Sequence, residues 1–146
     1  PLHDKLGLFD FNYKTFNIGQ SHNSVFEEPV KSIERKLAVS LDYLVENQFV
    51  PVPTHIKLDV DGNESLILEG MKTTLQSKSV KSLIVEYDGH AHEKTGCTVK
   101  SNPVRDFLER LDYKFKASQF TTAGQKRVDQ GKSPDKIPHN FLFELI

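Results

Sequence analysis

The 146-residue chain has one cysteine, no long apolar run and no surplus of either charge, and each absence removes a class of function. Cys97 alone can make neither an internal disulfide nor a cysteine-rich zinc site, which fits a reducing compartment. Its neighbours Gly96 and Thr98 place it in a loop, where a lone cysteine is ordinarily inert. Nineteen Lys and Arg against twenty Asp and Glu give a formal net charge of −1, so no positive field draws nucleic acid or anionic lipid. No stretch approaches the ~20 apolar residues that span a bilayer, and the first residues lack the basic-then-apolar order of a signal peptide. The expectation is a soluble, cytoplasmic protein with neither nucleic acid nor membrane as partner. Internal repeats are also missing, and at this length a single domain can bury roughly 68–70% of its unfolded surface. Because the first residue is Pro1 rather than Met, the chain reads as a fragment or processed product.

Hydrophobic periodicity sets out an alternating α/β order. Residues Gly7–Tyr13 alternate Leu8, Asp10 and Asn12 with Phe9, Phe11 and Tyr13, the period of a half-buried antiparallel or edge strand with its aromatics on one face. Residues 14–36 are rich in Asn, Ser, Glu and Lys and read as an irregular loop. Ser40 is an N-cap candidate for a short helix that turns Leu41, Leu44 and Val45 inward. Ile56–Val60 reads as a central strand, Gly62-Asn63 opens a helix carrying Leu66, Ile67, Met71 and Leu75, and Leu83-Ile84-Val85 suits a strand buried on both faces. Asn102 can cap a helix with Pro103 at its first position and Val104, Phe107, Leu108 and Leu111 on one face. Strands are expected at Tyr113–Ala117 and Asn140–Ile146, with residues 119–138 as a long loop between them. The sum is an α/β sheet closed by an antiparallel strand.

The richest segment is His55-Ile-Lys-Leu-Asp-Val-Asp-Gly-Asn-Glu64, which joins an apolar strand to a helix start through an acidic tip. Open α/β sheets bind ligands beyond the carboxyl ends of their strands, so Asp59 and Asp61 fall where a ligand would sit. Asp61 also suits plain helix capping, a carboxylate near a helix N-terminus being favoured by ~0.3–1 kcal/mol. Glu86, at the end of an apolar strand, needs a partner or a cleft, because an isolated buried charge is very costly. Tyr87, Asp88 and His90 follow it, and the imidazole of His90 is a candidate base with an intrinsic pKa near neutrality. His90-Ala-His92 is an H-x-H pair without an evident third ligand, which argues against a metal.

Ile56-Lys-Leu-Asp-Val-Asp-Gly-Asn-Glu64, Leu68-Glu-Gly70 and Leu83-Ile-Val-Glu86 together resemble the FkbM family of S-adenosylmethionine-dependent methyltransferases. The flanking Leu2–Gly7 segment with its aromatic strand, Val39-Ser-Leu-Asp42-Tyr-Leu44 and the closing aromatic strand fall in that family's order, with Asp61 standing where the family usually has Glu. The resemblance implies a Rossmann-like class I methyltransferase sheet, of which this chain would be the C-terminal part, with an antiparallel closing strand. It implies S-adenosylmethionine as cofactor and O-methyl transfer to a small-molecule or sugar hydroxyl. Asp59 and His90 would be catalytic, and Asp59, Asp61, Gly62 and Glu86 would bind the cofactor. The family's glycine turn and the acid that follows its second strand have no counterpart here, since none of the eight glycines forms a G-x-G, so weak cofactor binding is expected of the chain alone.

Two other readings compete. Asp59-Val-Asp-Gly62 also looks like the D-x-D-G motif of haloacid dehalogenase-type phosphatases, with Asp59 as phosphoryl acceptor, but Asn63 stands where that family has Thr and its other motifs have no place. An EF-hand counted from Asp59 fails, because its sixth and twelfth positions are Glu64 and Gly70. A non-catalytic module that self-associates through open sheet edges is the remaining alternative.

Overall fold

The structure is a computed structural model that describes residues 1–13, 23–24, 32–60, 63–87, 103–131 and 139–146. Two sheets organise it. In the first, β1 (Gly7–Tyr13) pairs antiparallel with β2 (Asn23–Ser24) on one side and β3 (Ser32–Ala38) on the other. As its alternation implies, β1 keeps Phe9 and Phe11 half-buried on one face while Leu8 on the other is 66% exposed. The loop expected over 14–36 is corrected at two places: Asn23–Ser24 form β2 and Ser32–Lys36 belong to β3, where pairing with β1 overrides a polar composition.

After β3 come α1 (Leu41–Glu46), β4 (His55–Leu58), α2 (Glu64–Glu69), α3 (Lys72–Gln76) and β5 (Ser82–Tyr87), then α4 (Pro103–Glu109), β6 (Tyr113–Phe120), α5 (Thr122–Asp129) and β7 (His139–Leu145). The second sheet has the order β4-β5-β7-β6. β4 and β5 are parallel, which requires a crossover, and α2 with α3 provides it. β7 lies antiparallel to both β5 and β6, as expected of the closing strand. Ser40 caps α1 through a bond from the Tyr43 N–H at 3.1 Å, again as expected.

Three expectations are corrected. The strand expected as central, Ile56–Val60, is β4 at the edge of its sheet, since its apolar residues are covered by the helical layer rather than by strands on both sides. Ile84 is 41% exposed, so β5 is buried on one face only. Residues 119–138 are not one long loop: β6 runs on to Phe120, and Thr121 caps α5 by accepting from the Gly124 N–H at 3.0 Å. Asn102, the expected cap of α4, and Cys97 lie outside the described residues.

The core lies between the second sheet and α2, α3 and α4, with Leu68, Leu75, Leu83, Leu108, Tyr113 and Phe143 almost fully enclosed. Tyr113 brings a hydroxyl into this apolar space and donates it to the carbonyls of Val80 at 2.9 Å and Leu75 at 3.3 Å, while burial pushes its pKa up. Asp42 binds α1 to the start of α3: its carboxylate accepts from the Thr73 N–H at 2.9 Å and from the Thr74 N–H and hydroxyl, both at 2.7 Å. Gly70 ends α2 where no side chain fits, since a Cβ there would stand 2.1 Å from the His3 carbonyl oxygen. That close crossing holds residues 1–3 near the end of β4, alongside Val39, to which His3 donates its N–H at 2.9 Å.

Candidate functional site

Alternation along β4 turns Leu58 into the core and leaves Lys57 and Asp59 exposed on the other side. The parallel register Leu58↔Val85 then brings the next residue of β5, Glu86, beside Asp59. Lys57 Nζ donates to Asp59 Oδ2 at 2.7 Å. This bond holds the Asp59 carboxyl below the usual carboxylate range, partial burial opposes it, and a hydrogen bond with Glu86 lowers it further. Asp59 in turn raises the Lys57 ammonium, chiefly through the same bond. Asp59 is therefore a settled anion at neutral pH.

A cavity of about 360 Å³ lies against this end of β4, within the size range of small-molecule sites. The segment Lys57–Val60 forms one wall, Asn63 and Ile67 of α2 a second, and Pro1–His3 with Phe11 of β1 a third. His3 is fixed by stacking on Phe9, with ring centroids 3.8 Å apart, and by a close contact with Asp4. Apolar surface from Leu2, Phe11, Val60 and Ile67 thus surrounds the polar groups.

Asn63 adds a feature that periodicity could not disclose. It occupies the N-cap position of α2, yet makes no side-chain capping bond, and its Oδ1 is buried without a partner. An N-cap asparagine normally accepts from the N–H of the second or third helical residue, and a buried acceptor left unpaired costs about 1–3 kcal/mol. An amide oxygen kept unpaired in the wall of a cavity calls for a donor from a bound molecule. Sequence reasoning also missed Phe11 and His3, which reach the site only through tertiary contact; the one signal in the sequence was an asparagine at a helix start.

Of the residues expected to act, the structure brings Asp59 and Glu86 together and places Asp59 at the cavity. Asp61, Gly62, His90 and His92 lie outside the described residues. Among the described residues no group of three or more His, Cys, Asp and Glu could hold a metal, and no helix is long and apolar enough to cross a membrane. The family model for the methyltransferase FkbM domain matches residues 2–115, from the Pro1–His3 wall of the cavity through the β4–α2 junction and β5 into β6. The chain belongs to the FkbM methyltransferase family. No curated protein and no solved structure gives a significant match. The match takes in every FkbM segment named from the sequence up to β5, including Asp42 and Gly70, whose roles here are to fasten the helices behind the site.

Proposed function

We propose that this FkbM methyltransferase transfers a methyl group from S-adenosylmethionine to a hydroxyl of a small molecule or sugar, at the cavity beside Asp59. The observation that carries the reading is the presence of an acidic carboxylate and an unpartnered buried amide oxygen in the walls of one mostly apolar cavity. The strand order β4-β5-β7-β6, with β7 antiparallel between β5 and β6, supports a Rossmann-like methyltransferase sheet.

The residues present fit a cationic cofactor with an apolar body: Asp59 supplies negative charge, Asn63 an acceptor, and Leu2, Phe11, Val60 and Ile67 the apolar walls. Asp59 and Asn63, with Asp61, Gly62 and Glu86 as the resemblance implies, would hold the cofactor, which supplies an electrophilic methyl group when bound. Asp59 acts by its charge and by position. A carboxyl held acidic by Lys57 is a poor proton acceptor near neutrality, so the hydroxyl proton passes to a base of higher pKa, for which His90 is the candidate. Lys57 keeps Asp59 ionised and in place.

The test is incubation with methyl-labelled S-adenosylmethionine and a panel of hydroxylated acceptors, followed by detection of labelled product. Transfer that falls in Asn63→Leu while the melting temperature rises, because the unpaired oxygen is gone, is the expected result. Absence of transfer to every acceptor at S-adenosylmethionine concentrations that saturate the chain, or release of phosphate from a phosphomonoester that is lost in Asp59→Asn, would overturn the reading, the second in favour of a phosphatase.

A further inference from the structure

We propose that the open face of β5, β7 and β6 beside Glu86 seats the methyl acceptor, and that Asn140 accepts a hydrogen bond from one of its hydroxyls. The inference rests on the methyl-transfer reading and adds to it the place and chemical class of the second substrate.

A second cavity, of about 180 Å³, is lined by Ile84, Ala117, Ser118, Gln119, Asn140 and Leu142. The strand register fixes how these residues lie. Glu86 pairs with Asn140 and Asn140 with Gln119, while Ile84 pairs with Leu142 and Leu142 with Ala117. Paired residues on neighbouring strands share a face. Glu86, Asn140 and Gln119 therefore form a polar row at the carboxyl end of β5, and Ile84, Leu142 and Ala117 an apolar row next to it. Both rows face away from the core, which takes the alternating residues Leu83, Val85, Phe141 and Phe143. The polar row continues into Asp59 through its hydrogen bond with Glu86, so this face adjoins the first cavity's charged corner.

Asn140 Oδ1 is buried and has no partner. A leucine of similar volume would fill the position without leaving an oxygen unpaired, so packing gives no reason for the amide. A ligand that brings a donor does. Wholly apolar ligands would leave the oxygen unsatisfied, and anionic ones would meet the Asp59 carboxylate that the polar row adjoins. A neutral ring that carries hydroxyls and also presents C–H surface matches both rows, which is the chemistry of a sugar.

Titration of the ¹⁵N-labelled chain with methyl glycosides of glucose, galactose, mannose and fucose tests this without methyl transfer. Saturable shifts of the Ile84, Gln119, Asn140 and Leu142 amides are expected with at least one glycoside, and none with tetrahydropyran. Asn140→Leu should weaken that glycoside by about tenfold, the order of one lost hydrogen bond, while raising Tm because the unpaired oxygen is gone. A lowered Tm would make the amide a structural group, and shifts that are absent or lie elsewhere would remove the ligand; either overturns the proposal. Saturable binding here with no label transferred from S-adenosylmethionine would leave the sugar site standing and refute the methyltransferase reading. Transfer to a glycoside that leaves this face unshifted would do the reverse.

Discussion

Asp59→Asn separates the chemistry of the site from the stability of the fold. The substitution keeps size and removes charge, and what it removes structurally is an ion pair whose partners are 61% and 43% exposed. Exposed pairs are worth about 0–1 kcal/mol, and a chain of this length melts roughly 2–4 °C lower per kcal/mol, so Tm should fall by no more than about 4 °C. If the carboxylate stabilises charge where methyl transfer occurs, its loss should slow turnover by ~10²–10³-fold. The pH dependence follows from the direction of the shift. Asp59 is more acidic folded than unfolded, so the stabilisation it gives is present above its unfolded pKa and is lost as pH falls through the lower folded value. The acid limb of kcat/KM should accordingly lie below the usual carboxylate range. Lys57→Met removes the main lowering cause and leaves burial, which raises the pKa, so that limb should move to higher pH. Labelled-methyl assays across pH, run beside thermal melts, give all these quantities. Near-normal turnover in Asp59→Asn, a melt lowered as far as by a core substitution, or an acid limb that ignores Lys57→Met would each refute the role given to this carboxylate.

Other outcomes follow from the scaffold behind the site. Asp42→Ala deprives the first turn of α3 of three hydrogen bonds, two of them from Thr74, which is 4% exposed, and should cost about 2 kcal/mol, read as a lower urea midpoint with unchanged m. Gly70→Ala sets a Cβ against the His3 carbonyl and must push residues 1–3 from the cavity; a loss of about 1–3 kcal/mol is expected, with weaker S-adenosylmethionine binding by calorimetry. Tyr113→Phe leaves the Val80 carbonyl without its hydroxyl partner and should cost about 1–1.5 kcal/mol with no effect on methyl transfer, checked by melting and assay together.

Much of this molecule follows from local sequence. The alternation of Gly7–Tyr13 and the spacing of Val104, Phe107 and Leu108 each specify an element and its inward face, and the Ser40 cap the start of another helix, because periods and caps are properties of a few consecutive residues. The acidic tip after β4 and its FkbM family are equally legible, being contiguous. Only the tertiary structure decided the rest. Ile56–Leu58 is apolar whether its strand is central or at an edge, since the helical layer buries it in either place. Ile84 reads as buried until the assembled sheet leaves its face open. The partnership of Asp59 with Glu86 depends on strand register, and the cavity depends on Gly70 admitting residues 1–3. An asparagine's need for a partner is set by which donors the folded chain brings within reach, and neither Asn63 nor Asn140 receives one for its buried oxygen.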